Sequence, residues 1–418
     1  MLHPKTQSPP QTPTRPIILL AAAGFASQAQ VRVTDSLLPQ IAADFHATVG
    51  AAAIVVTSYA VAHGTIQLVI GPAGDRLGKY RAVALMCAVG TVLVALCGLA
   101  ASLPQLALAR LATGAAAGWI IPISIAYVGD VTPYEHRQPI LGRYLTGQIL
   151  GQLFGQAAGG VLGDLLGWRN VFFVLAGIFA LATAGLFAEL FTNPLTHARG
   201  RPSPSLPSPA SGGGLGWGRV FVADYSAVLT TPFARAVIFT AFIENGLLWG
   251  PFAYIGAHLR WRFGLSFTLV GLTVGCFGIG GLTYAALVKL LVYRLGQVRL
   301  AVTGGFSIAA GYVLLSVMPV WWLGPVATMT IGLGFYMLHN TLQTNATQMT
   351  PQARGTAVAI FSSAIFIGQM VGVAAGALVI DRAGAVPLFL GAAAALPILA
   401  IWFARVLERH RRAERPAG

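Results

Sequence analysis

Charge is scarce in this chain: only 9% of its 418 residues are charged, whereas 56% are hydrophobic. A soluble globular protein has roughly 25% charged residues, so the composition excludes that class. The same figures exclude disorder over most of the length, because disordered chains combine low hydrophobicity with high net charge. The remaining class is a protein that crosses a membrane several times.

Cysteine is also rare, with three residues in the whole chain. Cys87 and Cys97 share one apolar stretch, where a helix would separate them by about 15 Å, which is too far for a disulfide. Cys276 lies in a different apolar stretch. We therefore predict three reduced cysteines that serve in packing.

Motifs of several function classes are missing. The sequence has no H-E-x-x-H metal motif, no G-x-S-x-G nucleophile elbow and no Walker nucleotide loop. The net charge of +14 comes without the aromatic-interleaved basic domain of a nucleic-acid binder. We predict that the protein is not an enzyme, has no catalytic residue, metal or cofactor, and does not bind nucleic acid.

Long apolar runs are the main feature that is present. A helix needs about 20 mostly apolar residues to cross a bilayer. Twelve such stretches occur, at approximately residues 16–39, 48–70, 81–101, 105–128, 142–165, 170–191, 233–257, 267–291, 299–318, 322–347, 355–380 and 386–406. The longest interruption, residues 192–232, separates six stretches from six. Its Pro, Ser and Gly content predicts a flexible cytoplasmic linker.

The basic residues predict the orientation. With both chain ends in the cytoplasm, most of the 26 lysines and arginines lie on the cytoplasmic side, in agreement with the positive-inside rule. We expect a multi-pass protein of the cell (inner) membrane. Its cytoplasmic ends are a flexible amino terminus, residues 1–15, and a basic tail, residues 407–418.

The two halves of the chain resemble each other at an offset of 217 to 218 residues. Gly151 aligns with Gly368, and Asp164 aligns with Asp381. Because six is an even number, both copies cross the membrane in the same sense, as in transporters with a site between two rocking halves. We predict an all-α integral membrane fold of twelve transmembrane helices. They form two six-helix bundles, residues 16–191 and 233–406, related by a pseudo-twofold axis along the membrane normal.

Helix-packing glycines recur every four residues in the fifth and eleventh stretches: Gly147, Gly151, Gly155, Gly159, Gly368, Gly372 and Gly376. Such a stripe lets another backbone approach closely. It serves either ordinary tight packing or a surface on which helices slide, and both interpretations stay open. Gln148, Gln152 and Gln156 run beside the first stripe. We expect this amide face to point inward, because it would be costly against lipid.

Three segments carry a family resemblance. GPAGDRLGKYR, residues 71–81, matches a loop signature between the second and third helices, and LALARLATGAAAG, residues 106–118, centres on Arg110. The fifth stretch has a glycine pattern with Gln156 where a proline is usual. The chain thus resembles the major facilitator superfamily, and more narrowly its twelve-helix drug/proton antiporter-type exporters. The resemblance implies a monomer driven by a proton gradient, while Gln156 departs from the antiporter pattern.

The resemblance also implies a cytoplasmic gate at the loop signature. The gate residues here are Gly71, Asp75, Arg76, Gly78, Lys79, Arg81, Asp130, Glu135, Arg137 and Arg354. Asp75 is expected near Arg354, at the amino-terminal end of the eleventh stretch, because a helix dipole favours an anion there. Arg76 and Arg81 are expected to pair with Asp130 and Glu135. A purely topological role for these charges is the alternative.

Two acids lie well inside predicted spans, Asp35 and Glu244. A carboxylate in hydrocarbon is costly unless it is paired or hydrated, so both are candidates for proton coupling. Asp35 has two possible cationic partners, Arg32 and Arg110, in a fixed or a proton-displaced ion pair. Glu244 has no basic residue at its depth in its own helix. It is the first choice, because burial favours the neutral form of a carboxyl group. A neutral Glu244 hydrogen-bonded to a neighbour is the structural alternative.

Polar and aromatic side chains inside several stretches are predicted to line a substrate cavity: Gln28, His63, Gln148, Gln152, Asn245, Trp249, Tyr254, Tyr336, His339, Asn340 and Gln343. His339 and Gln343 are four residues apart, hence on one helix face. For each histidine, simple packing is the alternative interpretation.

These features lead to one main hypothesis, a proton-coupled exporter of small organic or drug-like molecules that works by alternating access. The alternative within transport is a proton-linked importer or a uniporter of a sugar-like or other small solute. An enzyme, a receptor or a scaffold would not require the internal repeat. The predicted partners are a small-molecule substrate, protons and the lipid bilayer.

Overall fold

A computed structural model of the chain describes residues 14–70, 74, 77–132, 134–193, 196 and 215–414. Within these ranges, the side chains of residues 134–139, 215–222 and 414 lie outside the description. All regular structure in the described part of the chain is helical.

The helices of the first half are α1 (Thr14–Arg32), α2 (Thr34–Asp44), α3 (Val49–Ala52), α4 (Ile54–Gln67), α5 (Lys79–Gly98), α6 (Leu103–Ala117), α7 (Ile120–Val131), α8 (Tyr134–Leu166) and α9 (Trp168–Thr192). Those of the second half are α10 (Leu215–Thr230), α11 (Pro232–Phe252), α12 (Ile255–Phe263), α13 (Phe267–Val317), α14 (Gly324–Ala346), α15 (Arg354–Ala383) and α16 (Val386–Glu414). Short 3-10 turns, Trp321–Leu323 and Pro351–Ala353, precede α14 and α15.

Two of the breaks in the long helical stretches have a distinct backbone geometry. α1 and α2 are bent by 44° at the break that Val33 occupies. α13 breaks at Gly296, whose φ of 64° lies in the left-handed region that glycine adopts without steric cost. Gly78, the residue that aligns with Gly296 in the repeat, has a φ of 84°. The two halves therefore turn at equivalent positions.

In the described ranges, nine helical stretches are long and apolar enough to cross a membrane, or ten if the bent pair α1–α2 counts as one span. One of them is α13, which Gly296 divides into two helical segments. These findings establish an all-helical protein with many apolar spans. The count of twelve stays a prediction.

Three boundaries differ from the sequence interpretation. The first helix begins at Thr14, and α16 continues to Glu414, so most of the predicted tail is helical. α10 lies inside the segment 192–232, for which no helix was predicted. Its folding has a packing cause, because Val228 is fully buried and the hydroxyl of Tyr225 donates to the carbonyl of Leu68 at 2.7 Å.

Buried apolar side chains form two large clusters. One lies within the first half of the chain, between Leu20 and Leu190. The other lies mainly between Val228 and Leu407, but it also includes residues of α2, α3 and α4, from Leu38 to Val56. Each half therefore has its own core, and the segment from α2 to α4 connects the two.

Glycines set the distance between α8 and α1. A Cβ atom added to Gly151 would overlap the carbonyl oxygen of Phe25, and one added to Gly155 would overlap that of Ala29. Close backbone approach is thus what the predicted stripe provides at these positions.

The same pairing recurs between α15 and α11. A Cβ added to Gly368 would overlap the carbonyl oxygen of Phe242, and one added to Gly372 would overlap that of Gly246. Every residue in these pairs lies 217 positions after its counterpart in α8 or α1. The sequence repeat therefore corresponds to a repeated helix pairing.

Candidate functional site

Glu244, on α11, is fully buried and has a titratable partner. Its Oε2 atom lies 2.9 Å from Nδ1 of His339 on α14, and the His339 side chain is 14% exposed. The sequence interpretation considered basic residues along α11 only, whereas His339 reaches Glu244 from α14. A fully buried carboxyl group is thus in contact with a partly exposed imidazole, a group whose charge changes near neutral pH when its pKa is unperturbed.

Asn245 connects Glu244 to the next turn of α11. Its Nδ2 atom donates to Oε2 of Glu244 at 3.2 Å and to the carbonyl of Ala241 at 2.8 Å. Its Oδ1 atom accepts from Nε1 of Trp249 at 3.1 Å. The hydrogen bond between Glu244 and Asn245, considered above as a structural alternative, therefore exists beside the histidine contact.

Trp249 is packed between the halves and does not line an open cavity, contrary to the sequence prediction. Its side chain is 3% exposed and contacts the rings of Phe252, Phe277 and Phe335. The guanidinium carbon of Arg32 lies 3.3 Å from its ring centroid. A large apolar ring with a cationic neighbour at this distance forms a cation–π contact between α11 and α1.

Asp35 has Arg32 as its closest cation. Nη1 of Arg32 lies 3.9 Å from Oδ2 of Asp35, and both residues are buried. Among the described residues, Nε and Nη1 of Arg32 and Oδ2 of Asp35 have no hydrogen-bond partner. This long ion pair therefore leaves donors and an acceptor available in the centre of the protein.

Arg110 is not the partner of Asp35, which corrects one of the two pairings considered from the sequence. Nη1 of Arg110 donates to Oε1 of Gln30 at 2.6 Å and to its carbonyl at 3.1 Å, and Nε donates to the carbonyl of Val55 at 3.2 Å. The guanidinium also lies over the ring of Tyr59, with its carbon 4.3 Å from the centroid. Arg110 therefore joins α6 to α1 and α4.

His63 lies at the contact between α4 and α15. Its ring centroid is 5.4 Å from that of Tyr59 and 4.0 Å from that of Phe366. Its Nδ1 atom has no partner among the residues that the structure describes. His63 therefore packs at this interface and keeps one free ring nitrogen.

The remaining cavity candidates have different positions. Tyr254 is fully buried and donates to the carbonyl of Val373 at 2.7 Å, so it is a packing residue and not the predicted cavity residue. Nδ2 of Asn340 donates to the hydroxyl of Tyr284 at 3.2 Å, and Tyr336 stacks on Tyr284. Gln343 is exposed, one turn beyond the half-buried His339.

The amide face of α8 points inward, as predicted. Gln152 and Gln156 are buried, and Gln148 and Gln28 are half-buried. The Nε2 atoms of the three glutamines on α8 have no partner among the described residues. The side chain of Gln156 faces Asp35, so the amides of Gln148 and Gln152 are the ones available to a polar ligand.

Two carboxylates join the halves at one end of the molecule, which we call the Asp164 end. Asp164, at the end of α8, accepts from the backbone N–H of Thr268 at 3.1 Å and from its hydroxyl at 2.7 Å. Asp381, at the end of α15, accepts from the backbone N–H of Gly50 at 3.0 Å. Each carboxylate thus binds the first turn of a helix in the other half. The repeat had aligned these acids, but no role was predicted for them.

α8 and α13 also touch one turn from the Asp164 contact. A Cβ added to Gly160 would overlap the backbone of Gly271, and one added to Gly271 would come within 2.6 Å of the Cα of Gly160. The two halves are therefore in backbone contact at the Asp164 end.

The predicted gate lies at the opposite end and is described only in part. Gly71, Asp75 and Arg76 lie outside the described residues, as do the side chains of Glu135 and Arg137. Lys79 forms the ion pair with Asp130 that was expected for Arg76 or Arg81, and the side chains of Arg81 and Arg354 are exposed. Lys79 is the first residue of α5, and Asp130 lies in the last turn of α7. The contact between Asp75 and Arg354 stays a prediction.

A family model described as Major Facilitator Superfamily matches residues 20–353 and 236–418 of the chain. The MFS-type transporter YceJ of Bacillus subtilis (strain 168) is 22% identical over 344 residues, which cover 80% of this chain and 82% of YceJ. A probable sugar efflux transporter of Helicobacter pylori (strain ATCC 700392 / 26695) is 23% identical over 394 residues, which cover 94% of each chain.

The fold is also similar to that of a solved structure. The nucleoside transporter NupG matches with a TM-score of 0.73 and 12% sequence identity, over 94% of this chain and 99% of NupG. At this identity the likeness concerns the fold alone.

Proposed function

This chain belongs to the Major Facilitator Superfamily, so it is a multi-pass membrane transporter and not an enzyme, and we propose that it is a proton-coupled exporter. In this proposal, small organic or drug-like molecules leave the cell in exchange for protons by alternating access. The protein works as a monomer in the inner membrane, with twelve helices in two six-helix halves and both termini in the cytoplasm. The proton gradient is its driving force, and it needs no cofactor.

The contact between Glu244 and His339 carries the proposal. A carboxyl group in a low-dielectric interior favours its neutral form, and an adjacent imidazole can accept or donate the same proton. The carboxyl group is sealed from water, whereas the imidazole is partly open. We infer that His339 passes the proton between Glu244 and the water-accessible space, and that substrate competes with that proton.

The contacts at the Asp164 end support alternating access. Asp164 and Asp381 bind helix ends of the opposite half, and α8 touches α13 there. With the proposed orientation, this end faces outward. We infer that the described conformation is closed to the outside and that export requires these contacts to break.

Proton flux in inverted membrane vesicles tests the coupling. Vesicles that are acid inside and carry a pH-sensitive dye receive a panel of labelled compounds. We expect transported compounds to make the lumen more alkaline with the wild type, and Glu244→Gln to reduce this signal at least tenfold. Glu408→Gln is the control, because Glu408 is exposed and forms a surface pair with Arg412 four residues away. Compound uptake without proton movement, equal in wild type and Glu244→Gln, would refute proton coupling.

A second candidate is transport of a sugar-like solute, by import or uniport. The unpartnered amides of α8 favour it, because amides donate to and accept from hydroxyl groups. Gln156 in place of the usual proline also separates this chain from the antiporter pattern. The Helicobacter pylori relative is a probable sugar efflux transporter. Labelled sugars in the same vesicles distinguish the candidates, since an importer acidifies the lumen or leaves its pH unchanged.

A further inference from the structure

We propose that Trp249 is a positioning residue that transmits the protonation state of Glu244 to the pair Arg32–Asp35 in the other half. The proposal rests on the proposed function, because it takes Glu244 as the proton carrier. It adds the physical connection through which a proton bound in the second half changes the position of helices in the first.

An unbroken series of contacts joins these groups. Asn245 donates to Glu244 and accepts from the indole N–H of Trp249, at 3.2 Å and 3.1 Å. The indole ring then faces the guanidinium of Arg32 at 3.3 Å, and Asp35 follows at 3.9 Å. All five side chains belong to residues that are at most 6% exposed, so water does not screen their interactions.

The amide of Asn245 is the member of the series that responds to charge. While Glu244 is ionised, Nδ2 of Asn245 donates to a carboxylate, and such bonds are roughly twice as strong as neutral ones. This bond and the one to the carbonyl of Ala241 turn Oδ1 toward the indole N–H. A proton on Glu244 weakens the first bond, so Asn245 then holds the indole less firmly.

The position of Arg32 depends on the indole. Nε and Nη1 of Arg32 have no hydrogen-bond partner among the described residues. Its guanidinium contacts the indole face and Asp35, and Tyr59 and Tyr336 also lie near it. Arg32 is the last residue of α1, next to the break at Val33. A change in the position of the indole ring therefore changes the position of Arg32, and with it the bend between α1 and α2, where the first half meets α11.

Other titratable groups around Glu244 are accounted for. His339 approaches from α14 and shares the proton. Arg32 and Asp35 approach from α1 and α2, beyond Trp249. Tyr312 approaches from α13, and its hydroxyl donates to the backbone carbonyl of Leu248. One path from Glu244 to the first half therefore passes through Asn245 and Trp249.

The ratio of protons to compound transported tests the proposal. Trp249→Phe keeps an aromatic ring beside Arg32 but removes the N–H donor. We expect this variant to bind protons normally. We expect its ratio of protons to compound transported to be at least fivefold lower in the vesicle assay, because the compound is then transported whether or not Glu244 is protonated. Trp402→Phe, on α16, is the matched control, since that ring is 40% exposed and lies outside the series. A wild-type ratio in Trp249→Phe overturns the proposal.

Trp249 fluorescence gives a test without any substrate. The fluorescence of Trp249 is obtained as the difference between the fluorescence of purified wild type and that of purified Trp249→Phe. We expect it to change with pH in the wild type and to stay constant in Glu244→Gln. It should also stay constant in Asn245→Leu, although Glu244 still takes up its proton. If the Trp249 fluorescence of Asn245→Leu changes with pH as much as that of the wild type, the proposal is overturned.

The two proposals fail in different ways. If Glu244→Gln retains proton-coupled transport, the proposed function itself is wrong. If Glu244→Gln loses coupling while Trp249→Phe and Asn245→Leu keep it, only the connection through Trp249 is wrong.

Discussion

Arg110 illustrates how a single residue can be buried as a cation without an acidic partner. Its guanidinium donates in three directions, to the side chain and carbonyl of Gln30 and to the carbonyl of Val55. The flat, forked arrangement of these donors matches acceptors on two helices at once, which an ammonium group cannot do. Arg110 is therefore a structural residue that fixes α6 against α1 and α4.

We expect Arg110→Lys to destabilise the protein by about 1–3 kcal/mol, because an ammonium group leaves buried acceptors without donors. The measurement is thermal unfolding in detergent. Arg382→Lys is the control, since Arg382 is exposed. An unchanged melting temperature for Arg110→Lys would show that the hydrogen bonds to Gln30 and Val55 contribute little.

The sequence identifies the buried charges but not their partners. Glu244, Asp35 and Arg32 are recognisable because a charge inside an apolar stretch is costly. His339 lies 95 residues from Glu244, and the acceptors of Arg110 are partly backbone carbonyls. Such contacts depend on how helices sit side by side, which no local pattern specifies.

At the scale of helices, glycine decides how closely α8 approaches α1. Gly155 has no space for a Cβ atom, whereas Gly142, on the same helix, has nothing within 4 Å of the corresponding position. The same substitution should therefore have opposite effects at the two sites.

We expect Gly155→Ala to lower the free energy of unfolding by about 1–3 kcal/mol, because overpacking forces α8 away from α1. Gly142→Ala should be neutral or stabilising by up to about 1 kcal/mol, because alanine favours the helix more than glycine does. Melting temperatures of both variants, measured side by side, provide the check. Equal effects at both positions would contradict a packing role for the glycine stripe.

Elements with a regular pattern are the ones that the sequence predicts well. The glycine stripes and most long apolar runs correspond to observed helices. α10 was not predicted, because its stability depends on the burial of Val228 and on the hydrogen bond from Tyr225 to Leu68, just after α4. The bend at Val33 also has no local sequence signal, since neither glycine nor proline occupies that position.

At the scale of the whole molecule, two equivalent contacts join the two halves of the chain. Asp164 and Asp381 are equivalent in the repeat, and each binds the first turn of a helix in the opposite half. A carboxylate at a helix amino terminus is stabilised by about 0.3–1 kcal/mol through the helix dipole, in addition to its hydrogen bonds. Together the two contacts favour the conformation closed at the Asp164 end.

We expect the double variant Asp164→Asn, Asp381→Asn to open this end more often, by about tenfold in population, because about 1.4 kcal/mol of stabilisation is lost. A cysteine in place of Ala52, which is fully buried in the core cluster shared by both halves, reports the opening through labelling by a membrane-impermeant maleimide. Asp44→Asn is the matched control, because Asp44 pairs with Arg169 of its own half. Unchanged labelling in the double variant would exclude the carboxylates as a latch.

The contact between Gly160 and Gly271 has a further consequence, which concerns conformational entropy. An aliphatic side chain such as leucine loses about 0.5–1 kcal/mol of rotamer freedom whenever it is packed into an interface. Two glycines have no rotamers to lose, so the halves meet and separate at this point without that recurring cost. A contact made of bare backbone suits the joint that, in the proposed alternating access, opens and closes in every turnover.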